Sequence, residues 1–289
     1  MKVRHLLRIL VALALAASLT VSVFADDDEE NDNSCSQTSD IASIPGLLLW
    51  FAPEALPHVA DGAPVGRWPD SSGNDFDAVQ SSASRRPVYR CNSINGHPAV
   101  DFDGIDDVLK LTGSAVLQDI SLFIVYRYHA PLDPGCQKTY PFSIGGDANV
   151  SGEYWGIETL SPCSGNSVDV ADIYAGFSND ARATHRNISA SGKVKQLTAI
   201  STGFIHDTEV FVNGKAAMMS ATGFSVALNV PLTGSPESSW SGIGGGTYPG
   251  DNKAAAVEIA EVILFQTALD TDERRKVEKY LKSKYRSGD

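Results

Sequence analysis

The sequence predicts an all-β protein, a two-sheet antiparallel jelly-roll sandwich that ends in one α-helix. Three observations lead to this prediction. Short runs of β-branched and aromatic residues recur from about residue 46 onward, and clusters of Gly, Pro, Asn and Ser separate them. These runs do not alternate with helical patterns, which disfavours a doubly wound sheet. One segment near the C-terminus has apolar residues at helical spacing instead.

The predicted strands differ in length and in their expected position. The longest β-type run, 120–128 (ISLFIVYRY), predicts a central strand. A last long strand is expected at 257–265 (VEIAEVILF). Asn213 and Gly214 tolerate the positive φ angles of a two-residue turn, so they predict a β-hairpin. The other predicted strands are 47–51, 76–79, 98–102, 154–157, 170–177, 194–201 and 209–212.

The C-terminal helix has a recognisable start. Asp270 stands three residues before Glu273, which is the spacing of a capping box. Apolar side chains then follow at helical spacing, at Val277, Tyr280, Leu281 and Tyr285. The opposite face is rich in Arg and Lys. We expect this helix to lie across an end or an edge of the sandwich.

The chain is expected to form one domain behind a processed N-terminus. Residues 1–25 combine a basic start with a short apolar run and small residues, which predicts a secretory signal peptide and an extracellular, cell-surface or periplasmic location. Residues 26–44, which include DDDEENDN, predict an acidic disordered leader. The sandwich is assigned to residues 45–286, which contain no apolar run long enough to span a membrane.

Charge and cysteine content narrow the partners and the compartment. The formal net charge of −12 disfavours nucleic acid, because an acidic protein repels a phosphate backbone. An even number of cysteines in an exported protein predicts disulfides. Three pairings are conceivable, and we favour Cys35 with Cys91 and Cys136 with Cys163.

Four segments together resemble the concanavalin A-like lectin/glucanase superfamily, in its laminin G-like (LamG) branch of secreted bacterial proteins. The segments are 45–51 (PGLLLWF), 66–74 (GRWPDSSGN), 95–109 (NGHPAVDFDGIDDVL) and 259–281, which holds the last strand and the capped helix. This resemblance implies two antiparallel sheets. It leaves function open, because related domains bind sugars, bind proteins, pack against catalytic neighbours or cleave glycans.

The loop 103–107 (DGIDD) is the candidate cation site. Calcium prefers carboxylate and carbonyl oxygens, which Asp103, Asp106 and Asp107 supply within one tight loop. Asp70 is a further ligand if its loop lies nearby. The alternative is a turn in which the Asp side chains cap backbone amides.

Two segments combine aromatic and polar residues as sugar recognition requires. The first holds Glu153, Tyr154 and Trp155. The second runs from Trp240 to Tyr248, where four glycines are expected to give a flexible rim. Core or edge packing is the alternative for both segments, and burial is favoured for Trp155 because Gly156 and Ile157 follow it.

A glucanase would need paired carboxylates in one cleft. The nearest sequence is Glu258-Ile259-Ala260-Glu261, where Ala260 replaces the required Asp. Strand alternation also predicts that Glu258 and Glu261 face opposite sides of the sheet. The first hypothesis is therefore a secreted recognition module that binds carbohydrate or an extracellular protein through rim loops, with calcium as the candidate ion. The alternatives are a glycan hydrolase or lyase with an atypical site, and a structural or adhesive surface protein without a small ligand.

Overall fold

Two antiparallel sheets dominate the computed structural model, which describes residues 40–56, 58–129, 138–145, 154–160, 170–174, 182–186, 192–222, 226–233, 241–248 and 251–286. This architecture confirms the predicted all-β sandwich. The predicted signal peptide and the first part of the acidic leader, residues 1–39, lie outside the described residues. Within the described part of the chain, no helix is both long and apolar enough to cross a membrane.

The first sheet has eight strands in the order β15-β14-β13-β8-β21-β5-β4, and β1 pairs with β21 beside β5. Strand β8 lies at its centre, as the sequence predicts, and pairs with β13 and β21. The strands, numbered in chain order, are β1 (Leu47–Phe51), β4 (Val88–Ile94), β5 (His97–Asp103), β8 (Asp119–Tyr128), β13 (Lys195–Thr202), β14 (Glu209–Val212), β15 (Lys215–Ala216) and β21 (Ala256–Phe265).

The second sheet has nine strands in the order β16-β12-β11-β10-β9-β18-β6-β3-β2. They are β2 (Arg67–Trp68), β3 (Ala78–Val79), β6 (Leu109–Leu111), β9 (Lys138–Gly145), β10 (Tyr154–Leu160), β11 (Val170–Tyr174), β12 (Arg182–Arg186), β16 (Met219–Thr222) and β18 (Gly242–Ile243). Two short ribbons pair β7 (Ser114–Leu117) with β17 (Val230–Thr233) and β19 (Gly245–Tyr248) with β20 (Asp251–Ala254).

The predicted β-turn and the predicted helix cap are both present at the residues that the sequence indicates. Asn213 and Gly214 join β14 to β15 with positive φ angles of 50° and 73°. Helix α1 spans Thr271–Tyr285, and Oδ1 of Asp270 accepts the N–H groups of Asp272 and Glu273, both at 2.9 Å. The Glu273 carboxylate in turn accepts the Asp270 N–H at 3.1 Å. The described residues also include three short 3₁₀ turns, at Pro53–Ala55, Ala83–Arg85 and Ile205–Asp207, and residues 40–42 are helical.

The sandwich has two apolar layers because both faces of the first sheet are covered. Alternate residues of β8, such as Ile124, face the other sheet and pack in the main core. Their neighbours, such as Phe123, belong to a second apolar cluster that includes Val277 and Leu281 of α1. Helix α1 therefore lies on the outer face of the first sheet, and the prediction of an end or edge position is wrong. The continuous apolar run of β8 indicates that both faces of this strand are covered, but it does not indicate which element covers each face.

The folded part begins earlier than the predicted leader boundary at residue 44. Ile41 and Ile44 are buried in the cluster beneath the helix. Two apolar residues in a polar stretch are too few to give a periodic signal, so the sequence did not separate them from the leader. Of the predicted disulfide cysteines, Cys91 is exposed with a free thiol, and Cys35, Cys136 and Cys163 lie outside the described residues.

Candidate functional site

Three carboxylates converge on the loop that joins β5 to β6. Asp103, Asp106 and Asp107 each offer an oxygen, and these atoms all lie within 4.8 Å of one another. Asp103 is exposed, Asp106 is half-buried and Asp107 is buried. The structure thus brings together the three residues that the sequence singled out, and the set of hard oxygen donors fits a calcium ion.

The local sequence explains why this loop closes so tightly. Gly104 has φ of +77°, and a Cβ there would lie 2.7 Å from the Cβ of Ala256, so the position requires glycine. Oδ1 of Asp103 accepts the Ile105 N–H at 2.8 Å, and Oδ2 of Asp107 accepts the Asp103 N–H at 3.1 Å. The Asp side chains therefore also cap backbone amides, as the alternative interpretation of this loop requires.

Electrostatic repulsion accumulates at the buried end of the loop. Burial raises the pKa of the Asp107 carboxyl from 3.8 to about 6, and the charges of Asp103 and Asp106 add to the rise although the Asp103 N–H opposes it. Arg85 donates its Nε–H to the Asp106 carbonyl at 3.2 Å, and the same Nε lies 4.0 Å from the Asp106 carboxylate. A divalent cation would relieve this repulsion more fully than one partly exposed Arg.

The glycine-rich segment predicted as a rim lies directly beside the acidic loop. A Cβ on Gly245 would lie 3.4 Å from the Asp107 carbonyl oxygen. Gly245 opens β19, which forms a hairpin with β20 by pairing Tyr248 with Asp251. Tyr248, a predicted ligand residue, therefore stands on a hairpin that starts at the acidic loop.

The glycines before this hairpin are not a flexible rim. Gly242, Gly244 and Gly245 are buried. Gly244 has φ of +80°, and a Cβ there would come within 1.9 Å of the Phe102 ring. For these three glycines the prediction of flexibility is wrong, because they lie where the backbone packs closely against neighbouring backbone and the Phe102 ring.

The predicted aromatic platform of β10 is a core element. Trp155 is 0% exposed, and its indole N–H donates to the Ser201 hydroxyl at 3.0 Å. Tyr154 is 3% exposed and meets the Tyr140 ring edge-on at 6.2 Å. A buried ring offers no face to a sugar, so both residues are removed from the candidate site. Glu153 and Trp240 lie outside the described residues, and they stay predictions.

The start of β10 lies near one end of the glycine-rich segment, and the acidic loop lies near the other end. Tyr154 pairs with Gly145, whose N–H donates to the Ser241 hydroxyl at 3.1 Å. Ser241 accepts the N–H of Leu111, whereas Gly245, at the other end of β18, lies beside Asp107. The start of β10 and the acidic loop therefore flank opposite ends of this short strand.

Asp70, named as a further calcium ligand, is used by its own loop. Its Oδ1 accepts the N–H groups of Trp50 and Ser72 at 2.8 and 2.9 Å. Its Oδ2 accepts the Ser72 hydroxyl at 2.6 Å and the Phe76 N–H at 3.2 Å. This carboxylate fixes the turn after β2 and is not available to an ion.

Comparison with known proteins gives the fold and no family. No protein-family model matches the chain, and no curated protein matches it. The botulinum neurotoxin serotype D binding domain aligns with 84% of this chain and 52% of its own, at 13% identity and a TM-score of 0.50. The same domain in complex with N-acetylneuraminic acid aligns at 12% identity and a TM-score of 0.48, and this alignment covers 84% of this chain and 52% of the toxin domain. The chain is a β-sandwich. A Trypanosoma rangeli sialidase complex aligns at 13% identity and a TM-score of 0.46, covering 90% of this chain and 39% of the sialidase.

The two acids of β21 lie on one face of this β-sandwich, which corrects the alternation argument. The pairing of β21 with β8 shifts register between Ile259 and Glu261, which makes Ala260 a bulge. The extra residue shifts the in-and-out alternation of β21 by one position, so the side chains of Glu258 and Glu261 both face the outer side of the first sheet. A bulge depends on the partner strand, and the sequence of β21 alone gives no sign of it.

Neither of these acids is available to a substrate. Glu261 is 0% exposed and accepts from Trp50 Nε1, Tyr280 OH, Lys284 Nζ and Tyr285 OH at 2.6–2.9 Å. Burial beside Glu261 raises the pKa of both tyrosines above the ordinary range, so they remain protonated donors. Glu258 binds Arg127 at 2.5 Å and the Ser93 hydroxyl at 2.7 Å.

A polar cluster on the same outer face escaped sequence reasoning. Asp101 lies opposite Glu258 in the β5–β21 pairing. Its carboxylate contacts Arg90 Nε at 3.0 Å and His129 Nε2 at 2.8 Å. The hydrogen bond to Asp101 raises the pKa of His129, although burial opposes the rise. The alternation of 100–103 (VDFD) predicts that Asp101 shares a face with Asp103, but its cationic partners are Arg90 of β4 and His129, the residue that follows β8.

Proposed function

We propose that this protein is a secreted recognition module of the concanavalin A-like, laminin G-like type that binds carbohydrate at one rim of the sandwich. Asp103, Asp106 and Asp107 would hold a calcium ion there. Tyr248 would contribute the aromatic contact. Glu153 and Trp240 stay candidate ligand residues for a second contact.

The observation that carries this proposal is the contact between the acidic loop and the β19–β20 hairpin. A Cβ on Gly245 would touch the Asp107 carbonyl oxygen at 3.4 Å, and Tyr248 follows three residues later on the same strand. Calcium takes six to eight oxygen ligands, so three carboxylates leave positions that sugar hydroxyls are able to fill. An aromatic side chain on the same hairpin would support the apolar face of a pyranose.

Binding is favoured over glycan hydrolysis because of the state of the acids of β21. Glu258 and Glu261 share a face, but Glu261 is fully buried and bonded to four donors. The toxin neighbour is named as a binding domain. A likeness at 13% identity carries the fold and not the ligand, so the proposal depends on the rim geometry.

The test separates the ion from the sugar. Binding to a glycan array is measured with millimolar calcium and with EDTA, and the melting temperature is recorded under both conditions. Asp106→Asn should lose both the calcium-dependent rise in melting temperature and the glycan signal. Asp207→Asn, which changes an exposed carboxylate on a distant 3₁₀ turn, should lose neither.

Tyr248→Ala tests the sugar contact alone. It should keep the calcium-dependent rise in melting temperature and lose glycan binding. Phe204→Ala, which removes an aromatic ring that is 46% exposed elsewhere, is the matched control and should bind normally. A wild-type protein that binds no glycan in either condition contradicts the carbohydrate proposal, and binding to an extracellular protein then becomes the alternative. An unchanged melting temperature at millimolar calcium contradicts the ion site.

A further inference from the structure

Helix α1 presents a straight row of cations to solvent, which we call the basic stripe: Arg275, Lys279, Lys282 and the C-cap residue Arg286. All four side chains are exposed. The spacing of four and three residues places Arg275, Lys279 and Lys282 on one side of the helix, and Arg286 follows at its C-terminal end in a left-handed conformation with φ of 47°. Lys276 flanks the stripe and is also exposed. The side opposite the stripe carries Val277 and Leu281, which pack on the sheet.

The basic stripe is not neutralised by the rest of the described protein. Its residues and Lys276 form no ion pair with a described residue, whereas the two other cations of the helix do. Arg274 binds Glu278 at 2.6 Å, and Lys284 binds Glu261 at 2.8 Å. The acids of the first turn, the exposed Asp272 and the half-buried Glu273, complement the helix dipole. The following turns present only positive charge to solvent.

The stripe is held rigidly. The buried Glu261 carboxylate ties Tyr280, Lys284 and Tyr285 of the helix to the sheet. Arg274 stacks 3.8 Å above the Phe211 ring near the start of the helix. With both ends fixed, the cations from residue 275 to residue 286 extend over about 16 Å in a defined line. Their positions are therefore set before any partner arrives.

We infer that the basic stripe binds a linear anionic polysaccharide, one with regularly spaced carboxylate or sulfate groups. The stripe is narrow and the chain as a whole is acidic, with a net charge of −12. A thin flexible polyanion is able to follow the stripe and avoid the acidic surface around it. A stiff nucleic-acid duplex or a flat anionic bilayer would bring negative charge against that surface as well. The apolar side of α1 is buried on the sheet, so it has nothing to insert into a membrane.

This site lies on the outer face of the first sheet and is separate from the rim loop of the proposed calcium site. It goes beyond the proposed function, and the two proposals fail independently. Asp106→Asn should leave binding at the basic stripe unchanged. The variants of the basic stripe should show the same rise in melting temperature on addition of calcium as the wild type.

The experiment measures binding of the full chain to dextran sulfate and to polygalacturonate, with uncharged dextran as the blank. Lys279→Gln combined with Lys282→Gln should weaken binding about tenfold and lower the slope of log affinity against log salt by about two. Arg67→Gln combined with Lys193→Gln removes the same charge from exposed positions outside α1 and the β14–β15 hairpin, and should change affinity less than about twofold. Glutamine suits a helix as well as lysine does, so both variants should fold, as circular dichroism will verify.

Three results would overturn the inference. The first is a wild-type protein that binds neither polyanion at low salt. The second is an equal loss of binding in the two double variants, which would mean that only net charge matters. The third is binding to phosphatidylserine vesicles without binding to either polysaccharide, which would assign the stripe to a membrane surface.

Discussion

Replacing Asp107 by Asn tests the electrostatics of the candidate calcium loop directly. Asparagine keeps the oxygen that accepts the Asp103 N–H at 3.1 Å and removes the ionisable group. Burial, with the neighbouring charges of Asp103 and Asp106, raises the pKa of this carboxyl from 3.8 to about 6. The substitution therefore removes an unfavourable charge with little change in shape.

The sign and size of the effect follow from linkage. Because the folded state holds the Asp107 proton more tightly than the unfolded state, stability falls as pH rises from 3.8 to 6, where the pKa values lie. The full cost at neutral pH is about 3 kcal/mol. The new amide must find a partner of its own, so we expect Asp107→Asn to gain about 1–3 kcal/mol at pH 8 and almost nothing at pH 3. For a chain of this size, the gain corresponds to a rise in melting temperature of roughly 3–10 °C.

The assay is thermal unfolding of wild type and Asp107→Asn in EDTA, at several pH values between 3 and 8. The difference between the two proteins cancels the titration of all other groups. Calcium at pH 8 should then stabilise the wild type, because the ion neutralises the repelled carboxylates, and should have less effect on the variant. An equal loss of stability in the variant at every pH would refute the reasoning, because the carboxylate would then be favourable in the fold.

Three further predictions concern residues outside the loop. Glu261→Gln should cost about 3–5 kcal/mol in urea unfolding, because it removes the buried anion that binds Lys284 and the phenols of Tyr280 and Tyr285, and leaves Lys284 only its ion pair with the exposed Glu54; a loss below about 1 kcal/mol would contradict this. Gly244→Ala should unfold the protein or strongly lower its melting temperature, because a Cβ would enter the Phe102 ring; an unchanged melting temperature would contradict the packing. The ion pair with Asp101 raises the pKa of His129, so its stabilisation is complete below the ordinary His pKa and is lost as pH rises through the raised value. His129→Gln should flatten this decline in chemical denaturation, and an unchanged slope would contradict the pairing.

The sequence by itself determined the features that depend on nearby residues. The longest run of β-branched and aromatic residues gave the central strand β8, turn chemistry gave the hairpin at Asn213 and Gly214, and the capping box gave the start of α1. The convergence of the three carboxylates between Asp103 and Asp107 belongs to the same class, because five residues around one glycine have few ways to turn. These features were predictable because both interacting groups lie within one short segment.

Only the tertiary structure decided which segments meet and which side chains are buried. It placed α1 on the outer face of the first sheet, put Trp155 in the core and set Gly245 against Asp107. It also inserted the bulge at Ala260 that turns Glu261 toward the helix. Burial and strand register are set by contacts between residues far apart in the chain, and an apolar run has the same pattern whichever layer finally covers it.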